Sequence, residues 1–402
     1  MGLNKKQEEG LRLSKEWYNN DSHRPFVLSG IAGSGKSFTM TKIIDSLGLH
    51  EANVSFIAYT GMAAGVLVKR GLNATTIHRT IYNHFMDEKT GKVNFRLKDE
   101  LPRDIKLIII DEVSMVPMKM IEEIQSFGIP ILCLGDPAQL KSLSGRNELL
   151  DKPDIFLDEP VRQSLDNPIL VAANLVRNGK DLEYGSYGDN VHVITSDELT
   201  LDMYQNADQV LMSYNRTVDQ FNRFYRSQIL NIDVENNPFP KEDEKIICLK
   251  NNWSKVVNEG NITQYLTNGL IGNITRSGKK KPMTKSTQLD FKPKGFEMER
   301  FSRIYYDDLI FEGTIGDQQE LFDLRFKDNE INKIFKKRYV TEMSDFGMKV
   351  NPFNFAYGIT IHKSQGSEFD NVIVFSENMS KDRFKSLYTA ITRAKKNLIV
   401  VQ

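Results

Sequence analysis

The chain has 402 residues, and its 53 Lys and Arg balance its 53 Asp and Glu, so the formal net charge at pH 7 is 0. This neutrality argues against a protein that wraps nucleic acid over its whole surface, because such proteins carry a strong excess of basic residues. Hydrophobic residues make up 40% and charged residues 26% of the chain. That mix is typical of folded soluble proteins and excludes the disordered, collagen-like and membrane-embedded classes.

The two cysteines, Cys133 and Cys248, lie far apart in apolar runs. This placement predicts buried thiols in a reducing compartment and argues against a disulfide or a metal site. No apolar run approaches the ~20 residues that cross a bilayer, and the N-terminus lacks the apolar stretch of a secretory signal. We therefore expect a cytoplasmic protein that has no membrane partner.

Residues 5–20 predict a short amphipathic helix, and short apolar runs rich in β-branched residues follow it at helix-length intervals. This is the pattern of βα units around parallel sheets. With about 150 residues per domain as a guide, the length allows two such sheets and an added element. The predicted strands are residues 26–28, 54–58, 107–110, 129–134, 210–212, 372–375 and 398–401.

Two segments depart from this α/β pattern. Residues 80–105 contain alternating apolar positions, among them Phe85 and Phe95, around a turn at residues 87–91, and they predict a β-hairpin. Residues 262–350 are richer in turn residues and short strand-like runs. They predict a small β-rich insertion in the second sheet domain.

The run Gly30-Ile31-Ala32-Gly33-Ser34-Gly35-Lys36-Ser37 matches the phosphate-binding loop pattern in full, between a predicted strand and a predicted helix. Glycines allow backbone N–H groups to surround phosphate oxygens, while Lys36 supplies charge and Ser37 an oxygen ligand for Mg²⁺. The alternative, a glycine-rich turn with an unrelated lysine, does not explain the strand-loop-helix context. The motif predicts a nucleoside triphosphate site.

Asp111 and Glu112 directly follow the apolar run of residues 107–110. A carboxylate at a strand end can hold Mg²⁺ through water, and its neighbour can act as the base for the attacking water. Such a pair also marks strands that simply turn into solvent. Because the phosphate-binding loop lies about 75 residues upstream, we favour the catalytic interpretation, with Asp111 on the metal and Glu112 as base.

Further motifs resemble those of superfamily-1 helicases. Residues 111–115 and 135–140 resemble motifs II and III, and residues 357–370 and 388–395 resemble motifs V and VI. The resemblance implies that Gln139 contacts the γ-phosphate, that Glu368 contacts the nucleotide ribose and that Arg393 is an arginine finger. Without the flanking motifs, Gln139 would be a polar strand-end residue and Arg393 a solvated or ion-paired side chain.

Weaker matches occur in the same order as in that family. Gln7 resembles the glutamine that reads adenine, and Arg162 resembles a second arginine of the ATP site; either could also be an ordinary helix residue. Residues 59–64 and 75–78 resemble motifs that hold the DNA backbone through hydroxyls, amides and imidazole. The resemblance thus implies DNA contacts at Thr60, Gly61, Thr76, His78, Asn268, Thr360, His362 and Lys363.

Within superfamily 1 the match is most similar to the RecD and Dda type, and the compact Dda-like form is the nearer comparison. It implies an α/β fold of two RecA-like parallel-sheet motor domains. The expected limits are residues 1–155 for the first, 156–261 with 351–402 for the second, and 262–350 for an SH3-like β-rich insertion. In the first domain's hairpin, Phe95 would be the wedge that splits base pairs, or alternatively an aromatic residue buried in the hairpin core.

The resemblance implies an ATP- and Mg²⁺-dependent DNA helicase that moves 5′ to 3′ on single strands. Its expected partners are single-stranded and forked duplex DNA and proteins of replication or recombination, and we expect it to act as a monomer. A DNA-stimulated ATPase that remodels protein–DNA complexes without unwinding is one alternative. A non-catalytic DNA-binding or loading subunit is the other. No acidic cluster outside the ATP site has nuclease-like spacing.

Overall fold

The computed structural model describes residues 2–20, 24–86, 93–141, 148–161, 166–234, 240–249, 252–256, 265–281, 286–293, 302–307, 353–377 and 382–402. These fall into two compact units. The first lies within residues 1–83, 97–213 and 361–402, and the second within residues 84–96 and 214–360. Both sheets that we expected to be parallel have their core strands in the first unit.

Helices and strands alternate through most of the described chain. The helices are α1 Lys5–Asn19, α2 Lys36–Ser46, α3 Gly61–Lys69, α4 Ile77–Ile81, α5 Met118–Gln125, α6 Pro168–Arg177, α7 Leu201–Asn206, α8 Asn215–Phe224, α9 Ile361–Ser364 and α10 Arg383–Ile391. The strands are β1 Phe26–Gly30, β2 Val54–Ala58, β3 Ala74–Thr76, β4 Tyr82–Met86, β5 Val93–Leu97, β6 Leu107–Asp111, β7 Ile131–Gly135, β8 Ile155–Leu157, β9 Gly185–Tyr187, β10 Val191–Ile194, β11 Gln209–Met212, β12 Lys245–Cys248, β13 Asn252–Val256, β14 Tyr265–Leu266, β15 Ile271–Lys281, β16 Ser286–Pro293, β17 Ser302–Asp307, β18 Phe353–Phe355, β19 Gly358–Thr360, β20 Phe369–Phe375 and β21 Ala394–Val401.

The first sheet has the strand order β3-β2-β6-β7-β1-β8, and its neighbouring strands are parallel. Its strands are continuous apolar runs because helices cover both faces, and two buried clusters lie on opposite sides of it. Ala58 pairs in register with both Thr76 and Asp111. The carboxyl ends of these strands therefore meet at one edge, where ligands of such sheets bind.

The second sheet of this unit contains β11-β20-β21-β10-β9 in that order. The pairs β11–β20, β20–β21 and β21–β10 are parallel, and β9 is antiparallel to β10. An antiparallel edge strand on a parallel sheet is common in doubly wound folds. The two parallel sheets that the sequence predicted are thus confirmed.

The second unit is built on antiparallel pairs, in the order β17-β16-β15-β12-β18. It contains a buried ion pair, with Arg226 Nε 2.7 Å from Glu244 Oε1 and both side chains at most 3% exposed. Asn222 donates to the carbonyl oxygens of Phe355 and Gly358 and so holds the chain just before β19.

Several predictions can be compared directly with these elements. The helix of residues 5–20 and the hairpin within residues 80–105 are confirmed as α1 and as the pair β4–β5. Both cysteines are buried free thiols, as expected. Strands β15 to β17 give the region 262–350 an antiparallel backbone, whereas residues 308–350 lie outside the described residues. The SH3-like class and the domain limits stay predictions.

No described helix is both long and apolar enough to cross a membrane.

Candidate nucleotide site

The phosphate-binding loop connects buried strand β1 to helix α2. Gly33 and Gly35 adopt the left-handed backbone, with φ of 73° and 80°, which residues that carry a Cβ rarely adopt. Lys36 begins α2 and donates its Nζ to the carbonyl oxygens of Gly30 at 2.8 Å and Ile31 at 3.0 Å. The loop is thereby curled around its own lysine at the helix N-terminus, the geometry that receives phosphate oxygens.

Gln7 lies against this loop. Its Nε2 donates to the carbonyl oxygen of Ser34 at 3.1 Å, and the side chain is buried. Gln7 also forms a capping box with Asn4 at the start of α1, because each accepts a hydrogen bond from the other's backbone N–H. The structure therefore gives Gln7 a bracing contact with the loop; the adenine contact implied by the sequence stays a prediction.

Asp111 ends β6, and Glu112 follows it with φ of +51°. A left-handed conformation is costly for a residue with a side chain, by roughly 1–2 kcal/mol, and is often found at functional sites. Asp111 Oδ1 accepts a hydrogen bond from the Glu112 N–H at 3.0 Å. Burial raises the pKa of Glu112, while the Arg393 charge opposes that rise.

Glu112, Gln139 and Arg393 meet at this edge. Arg393 Nη1 lies 3.8 Å from Glu112 Oε1, and the arginine is almost fully buried. With the Gln139 amide oriented to satisfy both neighbours, its nitrogen donates to Glu112 Oε2 at 3.3 Å and its oxygen accepts from Arg393 Nη2 at 3.2 Å. Gln139 follows β7 of the first parallel sheet, and Arg393 directly precedes β21 of the second. Side chains from both sheets thus converge on the Glu112 carboxylate.

On the other side of the loop, Arg70 follows α3 and lies beside Ser37 and Glu368. Arg70 Nη2 is 2.7 Å from Glu368 Oε1, and its Nη1 donates to Ser37 Oγ at 3.4 Å. Burial raises the pKa of Asp111, whereas the charges of Arg70 and Lys36 lower it. The two groups expected to hold Mg²⁺, Ser37 and Asp111, are therefore both under the influence of Arg70.

These side chains line one cleft of about 450 Å³. It brings together most of the residues to which the sequence assigned nucleotide chemistry. Arg162 lies outside the described residues, so its assignment stays a prediction. The predicted site residues in the cleft are Ala32, Gly33, Ser34, Gly35, Lys36, Ser37, Asp111, Glu112, Gln139, Glu368 and Arg393.

The predicted DNA contacts of the first unit lie at the same carboxyl edge of the first sheet. Thr60 and Thr76 follow or end neighbouring strands, and their hydroxyls cap α3 and α4 by accepting from backbone N–H groups. Gly61 is the first residue of α3. The His78 ring lies 5.6 Å from that of Tyr82, and burial lowers the pKa of His78.

Other predicted DNA contacts are distributed over both units. His362 and Lys363 are half-buried on α9 in the first unit. In the second unit, Thr360 is buried at the end of β19 and Asn268 is exposed in the turn before β15. Phe95 is 44% exposed on β5, so the alternative of an aromatic buried in the hairpin core is wrong.

Sequence reasoning gave no role to several side chains that lie at this site. Arg70 is one, and no pattern marked it. Tyr388 is another: it belongs to residues 388–395, which resemble motif VI, but the sequence assigned no contact to it. The Tyr388 hydroxyl accepts from Ala32 N at 2.9 Å and donates to Asp136 Oδ2 at 2.5 Å, which links residues more than 200 positions apart.

Two family models match this chain, one near each end of the sequence. Residues 3–198 match the AAA domain model, and residues 355–401 match the model of the UvrD-like helicase C-terminal domain. The chain is 25% identical to an uncharacterized protein of Acanthamoeba polyphaga mimivirus, over 98% of this chain and 99% of that protein. It is 26% identical to the ATP-dependent RecD2 DNA helicase of Deinococcus radiodurans, over 93% of this chain but only 46% of that helicase.

The fold is similar to solved Pif1 helicases. A structure of Bacteroides Pif1 bound to single-stranded DNA superposes with a TM-score of 0.52 at 17% identity, covering 100% of this chain and 92% of that one. A structure concerned with unwinding of forked duplex DNA by two Pif1 helicases gives 0.53 at 18% identity, with the same coverage. This similarity shows the fold, which is the two-sheet RecA-like architecture predicted from the sequence. The two family models agree with the resemblance of the sequence motifs to superfamily-1 helicases.

Proposed function

We propose that the protein is an ATP-dependent DNA helicase that translocates on single-stranded DNA from 5′ to 3′ and unwinds duplex. One observation carries the proposal: Glu112, Gln139 and Arg393 converge beside the phosphate-binding loop from two different parallel sheets. A site of this kind is complete only when both sheets contribute. Hydrolysis can therefore be linked to a change in how the two sheets are held together.

In the proposed reaction, Glu112 accepts a proton from the attacking water, and burial raises the pKa of this base while the Arg393 charge opposes the rise. Arg393 stabilises the charge that develops on the transferred phosphoryl group. Gln139 contacts both of these residues. Because both act at the γ-phosphate in this reaction, the position of the Gln139 side chain would change when that phosphate is lost. Lys36 supplies the fixed positive charge of the loop.

The donors present fit a magnesium ion. A strand-end carboxylate, Asp111, and a hydroxyl, Ser37, line the same cleft, and both are oxygen ligands of the kind that Mg²⁺ prefers. Among the described residues no group of three or more His, Cys, Asp or Glu could cage a metal ion. This agrees with an ion whose remaining ligands are phosphate oxygens and water. When bound, Mg²⁺ would neutralise phosphate charge and orient the phosphates.

The DNA assignment rests on the carboxyl edge of the first sheet. Thr60, Gly61, Thr76 and His78 lie at the ends of two neighbouring strands, where hydroxyls, backbone amides and an imidazole can contact phosphates without reading sequence. The relatives named as DNA helicases support DNA as the partner. We further propose that the protein acts as a monomer, with replication or recombination proteins as its partners.

Two variants test the site. Lys36→Ala and Glu112→Gln should abolish DNA-stimulated ATP hydrolysis while thermal unfolding stays close to that of the unchanged protein. Lys42→Ala is the matched control, because Lys42 lies on the same helix α2 and forms an exposed ion pair with Asp45. Near-normal hydrolysis by either site variant would contradict the assignment.

Partial duplexes with a 5′ or a 3′ single-stranded tail test the activity and its direction. We expect ATP-dependent strand separation only with the 5′ tail. Activity on the 3′ tail alone would contradict the direction. Hydrolysis stimulated by DNA without any strand separation would favour the remodelling ATPase instead, and DNA binding without hydrolysis would favour the loading subunit.

A further inference from the structure

Tyr388 lies where three elements of the proposed site meet. It is on α10 and only 1% exposed. Its hydroxyl accepts a hydrogen bond from the backbone N–H of Ala32, within the phosphate-binding loop, at 2.9 Å. It donates to Asp136 Oδ2, directly after β7, at 2.5 Å. One phenol oxygen therefore joins α10, the loop and the end of β7.

Asp136 connects Tyr388 to the turn that carries Gln139. Asp136 is fully buried, and its Oδ1 accepts from the N–H of Ala138 at 2.9 Å. The Gln139 N–H in turn donates to the Asp136 carbonyl oxygen at 3.2 Å. Because a buried carboxylate needs hydrogen-bond donors, Tyr388 helps to hold Asp136 in this turn by donating to its second oxygen.

The next residue fixes the turn from its other side. Leu140 donates its N–H to Thr389 Oγ1 at 2.9 Å, and the Leu140 carbonyl oxygen accepts from Gln365 Nε2 at 2.8 Å. Gln139 thus lies between two points at which α10 contacts the turn. Any shift of α10 relative to the first sheet must move the Gln139 amide.

We propose that Tyr388 is a positioning residue for hydrolysis, whose hydroxyl holds the loop at Ala32 and the Gln139 turn at a fixed separation. This inference rests on the proposed function and deepens it. Tyr388 acts through Asp136 and Gln139, so its loss should slow turnover more than it weakens nucleotide binding. Burial raises the pKa of the phenol, so the hydroxyl stays protonated, and able to donate, at any pH where the enzyme is assayed.

The decisive variant is Tyr388→Phe, which keeps the ring and removes only the hydroxyl. We expect kcat for hydrolysis stimulated by single-stranded DNA to fall about 10- to 100-fold, because a buried carboxylate loses a donor. KM for ATP should stay within about twofold. The matched control is Ser386→Ala on the same helix: this hydroxyl is buried and has no hydrogen-bond partner in the described chain, so its removal should leave both constants unchanged.

Asp136→Asn tests the same chain of contacts from its other end and covers the case in which Tyr388→Phe folds poorly. It should lower kcat by a similar factor, and the double variant should lose no more than the single variants, because both break one connection. An unchanged kcat in Tyr388→Phe, a rise in KM alone, or an equal loss in Ser386→Ala would overturn the inference. If the unchanged protein shows no DNA-stimulated hydrolysis, the proposed function itself is wrong and this inference falls with it.

Discussion

Arg393 Nη1 lies 3.8 Å from Glu112 Oε1, although the two residues are separated by most of the chain. The arginine follows α10 and the glutamate follows β6, so the contact joins the edges of the two parallel sheets. Burial raises the pKa of Glu112, the proposed base, and the Arg393 charge opposes that rise.

The pH dependence of hydrolysis should therefore depend on the charge at position 393. A general base must be ionised, so with the pKa of Glu112 raised, kcat falls on the acid side at a pH above the usual range of glutamate. Arg393→Gln removes the opposing charge and should move this acid limb to still higher pH. Arg393→Lys keeps the charge and should leave the limb in place. Both variants should lower kcat, so the measurement is the pH profile of the residual rate. An acid limb at the same pH in both variants would contradict the proposed influence of the Arg393 charge on Glu112.

Magnesium dependence should report on Arg70. Its guanidinium lies beside Ser37 Oγ and pairs with Glu368, and it lowers the pKa of Asp111. Arg70→Ala removes a positive charge next to the expected metal ligands. The Mg²⁺ concentration for half-maximal hydrolysis should fall about two- to fivefold, since the site is partly exposed and its charges are screened.

Thermal stability should hardly change in Arg70→Ala, because exposed ion pairs contribute about 0–1 kcal/mol to the free energy of unfolding. Arg12→Ala is the control, since Arg12 also takes part in an exposed ion pair, with Glu16 on α1, remote from the cleft. A higher Mg²⁺ requirement in Arg70→Ala would show that Arg70 assists the site instead of competing with the ion.

The sequence predicts those parts of the site in which the residues that act together are also close together in the chain. The loop of residues 30–37 and the Asp111-Glu112 pair were predictable, because each chemical task is carried out by adjacent residues. Strand β7 begins at Ile131 rather than at residue 129, since Pro130 has no N–H for the ladder. The Asn4–Gln7 capping box is equally local, a polar pair three residues apart, although we interpreted Gln7 from the sequence only as an adenine contact.

The roles of Arg70 and Tyr388 could not be predicted in this way. Arg70 meets Glu368 across 298 positions, and Tyr388 meets Ala32 across 356. Neither contact leaves a periodic or spaced pattern in the chain, since it exists only once the two sheets are brought together. A single sequence carries the local chemistry of such a site but not the side chains that hold its parts in place.

Gly366 should be intolerant of any side chain. Its φ is +74°, and a Cβ there would lie 2.5 Å from the Ala63 Cβ on α3, closer than real carbon contacts. Gly366→Ala should lower the free energy of unfolding by about 1–3 kcal/mol and reduce hydrolysis. Adding Ala63→Gly removes the closest overlap, whereas the Ala63 Cα at 3.1 Å and the backbone strain remain, so it should restore part of the loss. Thermal unfolding measures both, and no recovery in the double variant would show that the overlap is not the cause.

Phe95 should matter for duplex separation but not for hydrolysis. It is 44% exposed on β5, and Phe85 on β4 is 52% exposed, so the hairpin presents aromatic surface that can stack on a base pair at a fork. Phe95→Ala should slow unwinding of a 5′-tailed duplex several-fold while leaving hydrolysis stimulated by single-stranded DNA near normal. Tyr184→Ala is the control, because that aromatic residue is 61% exposed beside β9. Equal losses of unwinding and hydrolysis in Phe95→Ala would remove the wedge role and leave the hairpin a part of the DNA grip.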